Sequence, residues 1–185
     1  SIGTFGNGGC ISFYPAKILG CLGDGGCVIT NKKNIYRKVK ALRDHGRNDQ
    51  NKIILWGFNS RLDNLQAAFL NYFLSNLKKN IIRRRYIAKL YIKYLKNNKN
   101  IELPVFDKNY RYDVFQNFEI RCKKRNKLKK YLAKNGVGTL IQWNGKAVHQ
   151  FKKLNFNINL PYTNKVMKEC LLLPMNQFIT DKEVK

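Results

Sequence analysis

The stretch 61–97 reads as helix almost throughout, and a helix of that length sets the frame to which every other element must attach. Leu62, Leu65, Phe69, Phe73 and Leu77 mark one apolar stripe, and Ile87, Leu90, Tyr91 and Leu95 mark a second, at the spacing of helix turns. Upstream, residues 1–30 are rich in glycine and hold two short β-prone runs, 10–13 and 27–30. Between them lies a polar turn region with Pro15, Lys17 and several glycines. Ile35, Val39 and Leu42 then recur at helical spacing, with Gly46 placed to end that helix. The asparagine-rich tract 97–100 before Pro104 reads as a linker, which predicts two domains, 1–98 and 99–185. Beyond it the pattern alternates. Strands are predicted at 115–121 and 137–143, and helices at 124–133, 163–172 and 180–184, the first of them capped by Gly136. Such alternation predicts a small α/β sandwich.

Composition narrows the function classes. A hydrophobic share of 44% belongs to a globular protein rather than a disordered one. With 185 residues the chain suffices for one ordinary domain or parts of two, and its start at Ser1 suggests a segment upstream. No apolar run approaches the roughly 18 residues that cross a bilayer. The net charge is +25, but its lysines and arginines are scattered in short runs over predicted helices. Nucleic-acid proteins concentrate charge on one face and interleave stacking aromatics. Solvated helix faces are therefore the expectation, the run Arg83–Arg84–Arg85 included, with neither nucleic acid nor membrane as partner. The excess charge can still steer a diphosphate-bearing substrate. The five cysteines form no CxxC pair, and only His45 and His149 could add ligands, so no metal site is expected. An odd cysteine count without a secretory signal points to reduced thiols in a cytoplasm.

The chemistry concentrates in Ser12–Phe13–Tyr14–Pro15–Ala16–Lys17, followed by Gly23–Asp24–Gly25–Gly26. A lysine just after a strand, between proline and glycines, can be held still, and its neutral amine attacks carbonyl carbon. Ser12 offers a hydroxyl of the kind that binds phosphate oxygens, and glycines let backbone approach a ligand. By spacing alone, a lysine in such a turn is more often a solvated surface residue.

A resemblance adds to this reading. The run Gly9–Lys17 with Leu22–Gly26 resembles the cofactor-lysine segment of the DegT/DnrJ/EryC1/StrS aminotransferases. Leu42–Arg43–Asp44–His45–Gly46 and Gly57–Phe58–Asn59–Ser60–Arg61–Leu62–Asp63–Asn64–Leu65–Gln66–Ala67–Ala68 resemble two further blocks of that family, in its order. Weaker similarity runs through Gly136–Thr139 to Pro174, so that it covers essentially the whole chain. The resemblance implies the latter half of a type I, aspartate aminotransferase-like α/β fold: the end of the large domain plus the small C-terminal α/β domain. It implies that Lys17 forms a Schiff base with pyridoxal 5′-phosphate and shuttles a proton at the substrate carbon. Ser12 would bind the cofactor phosphate, and Asn59 would reach that phosphate from the other subunit of a homodimer. The partners implied are an amino-acid donor, with glutamate expected, and a nucleotide-linked keto sugar. The loop around Trp143 and His149 resembles the family's substrate-proximal loop, in the branch that aminates 3-keto sugars.

Several residues keep two readings. His45 is a substrate candidate, yet His-Gly after a helix is also a plain C-terminal ending. Trp143 fits a core or an interface as well as a site. Ser60 reads as the cap of the long helix, with structural roles for Asp63 and Gln66, and Arg61 and Asp63 sit at a spacing that does not face on a helix. In the family the aspartate for the pyridine nitrogen and the stacking ring would lie upstream of Ser1, so this chain alone is expected to be inactive. Two other classes remain: a basic nucleic-acid- or anion-binding module, and a non-aminotransferase relative of the fold. The dehydratase branch replaces the lysine, which Lys17 argues against.

Overall fold

A computed structural model describes residues 3–107 and 112–185. It divides into two compact units, Ser1–Lys78 and Lys79–Lys185. The division falls inside the long helix, whereas linker composition places it at 98/99. The helix residues Ile87, Ala88 and Tyr91 are buried in the core of the second unit, which explains the earlier position.

In the first unit, β1 (Gly9–Ser12) and β2 (Gly26–Ile29) form an antiparallel pair, each one residue ahead of the expected run. The register sets Ser12 opposite Gly26 and Gly9 opposite Ile29. Helix α1 (Lys33–Leu42) follows, with Ala41 buried and Ile35, Val39 and Leu42 half-buried. Gly46, at φ +78°, donates its N–H to the Ala41 carbonyl at 2.9 Å and so occupies a carbonyl the helix end leaves open. The chain then doubles back. The Ile54 N–H reaches the Gly46 carbonyl at 3.0 Å, and the Phe58 N–H reaches that of Leu42 at 2.6 Å. Helix α2 (Asn64–Leu95) starts three residues later than expected. The Ser60 N–H donates to the Arg43 carbonyl at 2.9 Å, which holds Ser60 in a bridge to the preceding segment rather than at the cap. Asp63 takes the cap position, its carbonyl accepting from the Ala67 N–H at 2.9 Å.

In the second unit, β3 (Ile101–Glu102), β4 (Phe118–Cys122) and β5 (Cys170–Leu173) form an antiparallel sheet in that order. The register pairs Phe118 with Leu173 and Ile120 with Leu171. Phe115, Phe118, Ile120 and Leu171 are essentially inaccessible, and burying each stabilises the fold by about 1.5–3 kcal/mol. Helices α3 (Arg125–Lys134), α4 (Pro161–Glu169) and α5 (Asp181–Val184) complete the unit. The expected helix 163–172 is thus cut short. Cys170, Leu171 and Leu172 are all buried, and such a run gains more from a sheet buried on both faces than from a helix with one apolar stripe. The expected strand 137–143 shrinks to one bridge, Leu140 to Leu172. Its chain then turns away, with positive φ at Trp143, Asn144 and Gly145.

The arginine run is not solvated as expected. Arg84 is 7% exposed, and its guanidinium donates to the carbonyls of Phe115, Gln116 and Met175 at 3.1–3.4 Å. Burial without a carboxylate lowers its pKa. Arg83 binds Asp181 at 2.7 Å, and Arg85 pairs with Asp107.

Candidate active site

Lys17 sits in the connection between β1 and β2, and that connection is held by its own backbone. The Phe13 N–H donates to the Gly25 carbonyl, the Cys21 N–H to that of Phe13 and the Lys17 N–H to that of Tyr14, each at 2.8 Å. The last bond closes a turn of Tyr14, Pro15, Ala16 and Lys17, in which proline presets the φ of the second position. Gly20 is required here, because a Cβ would meet the Tyr14 carbonyl oxygen at 2.7 Å. The buried Cys21 thiol also donates to the Phe13 carbonyl, at 3.0 Å. From α2, the Gln66 side-chain oxygen accepts the Leu22 N–H at 2.9 Å, which gives Gln66 the structural role expected of it.

This frame fixes the backbone and leaves the amine accessible. Lys17 is exposed, and among the described residues its ammonium enters no ion pair or hydrogen bond. Ser12 ends β1 with its hydroxyl exposed, where Oγ accepts the Tyr14 N–H at 3.3 Å. A primary amine and an exposed hydroxyl five residues apart, on glycine-bounded backbone, are a donor set that fits a phosphorylated aldehyde.

The second half of this unit's site is the segment 42–62. Asp44 bridges Asn59 in antiparallel fashion, and the His45 N–H donates to the Phe58 carbonyl at 2.9 Å. Asn59 and His45 are both exposed, and His45 takes a left-handed φ of +57°. Asp44 accepts from Arg47 at 2.8 Å and Arg61 at 2.6 Å, and the Arg47 bond first, then Arg61, lowers its pKa. Sequence spacing misses this triad. It sets Arg61 near Asp63, while the actual partner lies 17 positions upstream. Ser60, Arg61 and Leu62 share a cleft of about 750 Å³ with Ile11, Gly25 and Gly26 of the β1–β2 pair. The Asn59 segment therefore abuts the strands that carry the lysine connection.

Trp143 and His149 lie in the second unit. Trp143 is 77% exposed, so it is no core residue, and it lines an apolar cleft of about 600 Å³ with Val148, Phe151, Val166 and Leu172. His149 Nε2 lies 2.8 Å from Asn164 Oδ1 and ties its turn to α4. Cys170 and Glu119, which no motif singled out, meet in the same cleft with Sγ and Oε1 3.2 Å apart. Burial and then the Glu119 carboxylate push the Cys170 thiol up to about 12.

Comparison with known proteins agrees with the resemblance. The model of the DegT/DnrJ/EryC1/StrS aminotransferase family matches residues 1–185. A pleiotropic regulatory protein of Geobacillus stearothermophilus is 35% identical over 179 residues, covering 94% of this chain and 48% of its own. A dTDP-3-amino-3,6-dideoxy-alpha-D-galactopyranose transaminase of Aneurinibacillus thermoaerophilus is 34% identical, covering 99% of this chain and 50% of its own. The crystal structure of a DegT DnrJ EryC1 StrS aminotransferase from Brucella abortus superposes with a TM-score of 0.88 at 30% identity, over 98% of this chain and 49% of that one. The chain spans about half the length of the relatives it matches, and its fold is that of half a type I pyridoxal-phosphate transferase. From this match over its whole length, the chain belongs to the DegT/DnrJ/EryC1/StrS aminotransferase family.

Proposed function

We propose that the whole protein moves an amino group from an amino acid, glutamate in our reading, to a nucleotide-linked keto-deoxysugar such as a dTDP-3-keto-6-deoxyhexose. The observation that carries this is the exposed Lys17 amine, unpaired among the described residues, on a backbone clamped at Phe13, Tyr14 and Cys21. The name of the 34% identical relative from Aneurinibacillus supports the 3-position of a dTDP-sugar. Amination of such sugars fits a cytoplasmic enzyme that supplies amino sugars for surface polysaccharide, lipopolysaccharide included.

Pyridoxal phosphate, when bound, supplies the electron sink that loosens a bond at the amino-bearing carbon. The chain's own residues do the rest. Lys17 would be the residue that holds the cofactor aldehyde. Once displaced, its neutral amine would take the proton from the donor's α-carbon and pass it to the cofactor side within the same half-reaction, and the second half-reaction would run that transfer in reverse onto the sugar carbon. The turn that closes at Tyr14 aims the amine without relying on a mobile helix face. Ser12 Oγ orients the phosphate by hydrogen bonding, and Asn59 does so from the other subunit of a homodimer. The Asp44–Arg47–Arg61 triad fixes the segment that presents Asn59. Trp143 and His149 face the sugar nucleotide.

Absorption spectroscopy of the intact protein tests the assignment. A visible band appears on addition of pyridoxal phosphate, is lost in Lys17→Ala, and the amino-transfer rate falls by about 10²–10⁴-fold. A band that survives in Lys17→Ala sinks the assignment. Wild-type activity with 4-keto but not 3-keto sugars would overturn the regiochemistry alone.

A further inference from the structure

The connection that carries Lys17 has two arms of unequal stiffness. The first, 13–17, contains Pro15 and closes its own turn through the Lys17 N–H. The second, 21–26, has glycine at positions 23, 25 and 26, and glycine loses more conformational freedom on ordering than any other residue. The two arms meet at Phe13. Its N–H donates to the Gly25 carbonyl at 2.8 Å, and its carbonyl accepts the Cys21 N–H at 2.8 Å and the Cys21 thiol at 3.0 Å. A shift of the glycine-rich arm therefore passes to Phe13, and from there to the turn that aims the amine.

That arm is anchored from outside by α2. Gln66, half-buried in the first turn of the helix, accepts the Leu22 N–H at 2.9 Å across 44 positions of sequence. At the third position of a helix a glutamine side chain commonly turns back to its own cap residue. Here its oxygen serves a distant segment. The amide nitrogen lies against the next residue, where a Cβ on Gly23 would meet Gln66 Nε2 at 3.3 Å. Leu62 closes the same side, since a Cβ on Gly25 would meet its Cδ1 at 3.1 Å.

We propose that Gln66 is a positioning residue for Lys17: by fixing Leu22 and Gly23 it holds the glycine-rich arm, and through Phe13 the turn that aims the amine. The inference rests on the aminotransferase reading of Lys17. Gln66 acts through backbone alone, so its loss slows proton and bond transfer at the amine and leaves the grip on the amino donor as it was.

Wild type, Gln66→Ala, Gln66→Glu and Gly23→Ala, each as the intact protein, test it. Without cofactor, amide exchange over 22–25 runs about ten-fold faster in Gln66→Ala, the loss of one hydrogen bond, while α1 and the second unit exchange as in the wild type. On addition of pyridoxal phosphate the visible band forms more slowly. The kcat of amino transfer falls about 10–100-fold at unchanged KM for glutamate, because a misplacement near 1 Å suffices for such a loss. Gln66→Glu keeps an acceptor oxygen at the same reach, and it restores both the protection and most of the rate. Gly23→Ala pushes the same side chain from the other side, so it slows the wild type and adds nothing to Gln66→Ala. Exchange over 22–25 that Gln66→Ala leaves unchanged overturns the proposal. Faster exchange with band formation and kcat as in the wild type also overturns it, because the bond then stabilises the fold and nothing more. A raised KM in place of a lowered kcat does so too, as does a Gln66→Glu rate as low as that of Gln66→Ala. A wild type that forms no band sinks the aminotransferase reading and this inference with it, whereas a normal wild type beside an unaffected Gln66→Ala sinks the inference alone.

Discussion

Gly46 and Gly57 stand where the doubled-back segment 42–60 leaves no room for a Cβ. Gly46 holds φ +78°, and a Cβ there would overlap the Leu55 carbonyl, while a Cβ on Gly57 would overlap the backbone of Gly46. Gly46→Ala and Gly57→Ala are each expected to cost about 2 kcal/mol or more, measured as a lowered denaturant midpoint at constant slope. A midpoint within experimental error of wild type would show that the doubled-back segment relaxes freely. The cysteines make a second residue-scale test. All five are free, Cys10 is exposed, and Cys21, Cys122 and Cys170 are buried. Because its thiol is pushed up to about 12, Cys170 carries almost no thiolate at neutral pH. Brief alkylation of the folded protein should label Cys10 and spare Cys170, and mass mapping reads the order; rapid labelling of Cys170 would contradict its burial.

The second unit rests on one strand that helix spacing concealed. Leu171 on β5 is fully buried against Ile120 on β4, and Leu171→Ala is expected to cost about 2–5 kcal/mol in chemical unfolding. The same strand receives Leu140 through two backbone bonds, from the Leu140 N–H at 3.2 Å and from the Leu172 N–H at 2.9 Å. Its loss should therefore loosen the loop around Trp143 as well, visible as faster amide exchange over 139–146. Elements with a strong period were legible in advance. The spacing of Leu62, Leu65, Phe69 and Phe73 marks α2 because one face must be apolar over many turns. Cys170–Leu173 was not legible, because a short apolar run is equally a helix end or a buried strand until its neighbour is known.

Four carboxylates, spread over both units, respond to acid in one direction. Asp44, Asp107 and Asp181 have lowered pKa values, each chiefly through a hydrogen bond from arginine, and Glu183 through the Thr180 N–H. A depressed carboxyl stabilises the fold fully above its unfolded value, here 3.8 for Asp and 4.5 for Glu, and loses that contribution as pH falls through its folded value. The thermal midpoint should thus hold level down to about pH 5 and drop below about pH 4; a midpoint that rises on acidification contradicts these pairings. Of the candidate site, the sequence by itself nominated Lys17, Ser12 and Asn59, through motif blocks that resemble the family's and keep its order. It also determined the long helix α2, since a periodicity sustained over many turns is local. Tertiary structure alone decided that Arg61 pairs with Asp44, that Arg84 is buried, and that Trp143 is exposed. Those facts depend on which distant segments meet, and a guanidinium or an indole has no preferred partner or depth until the chain has closed around it.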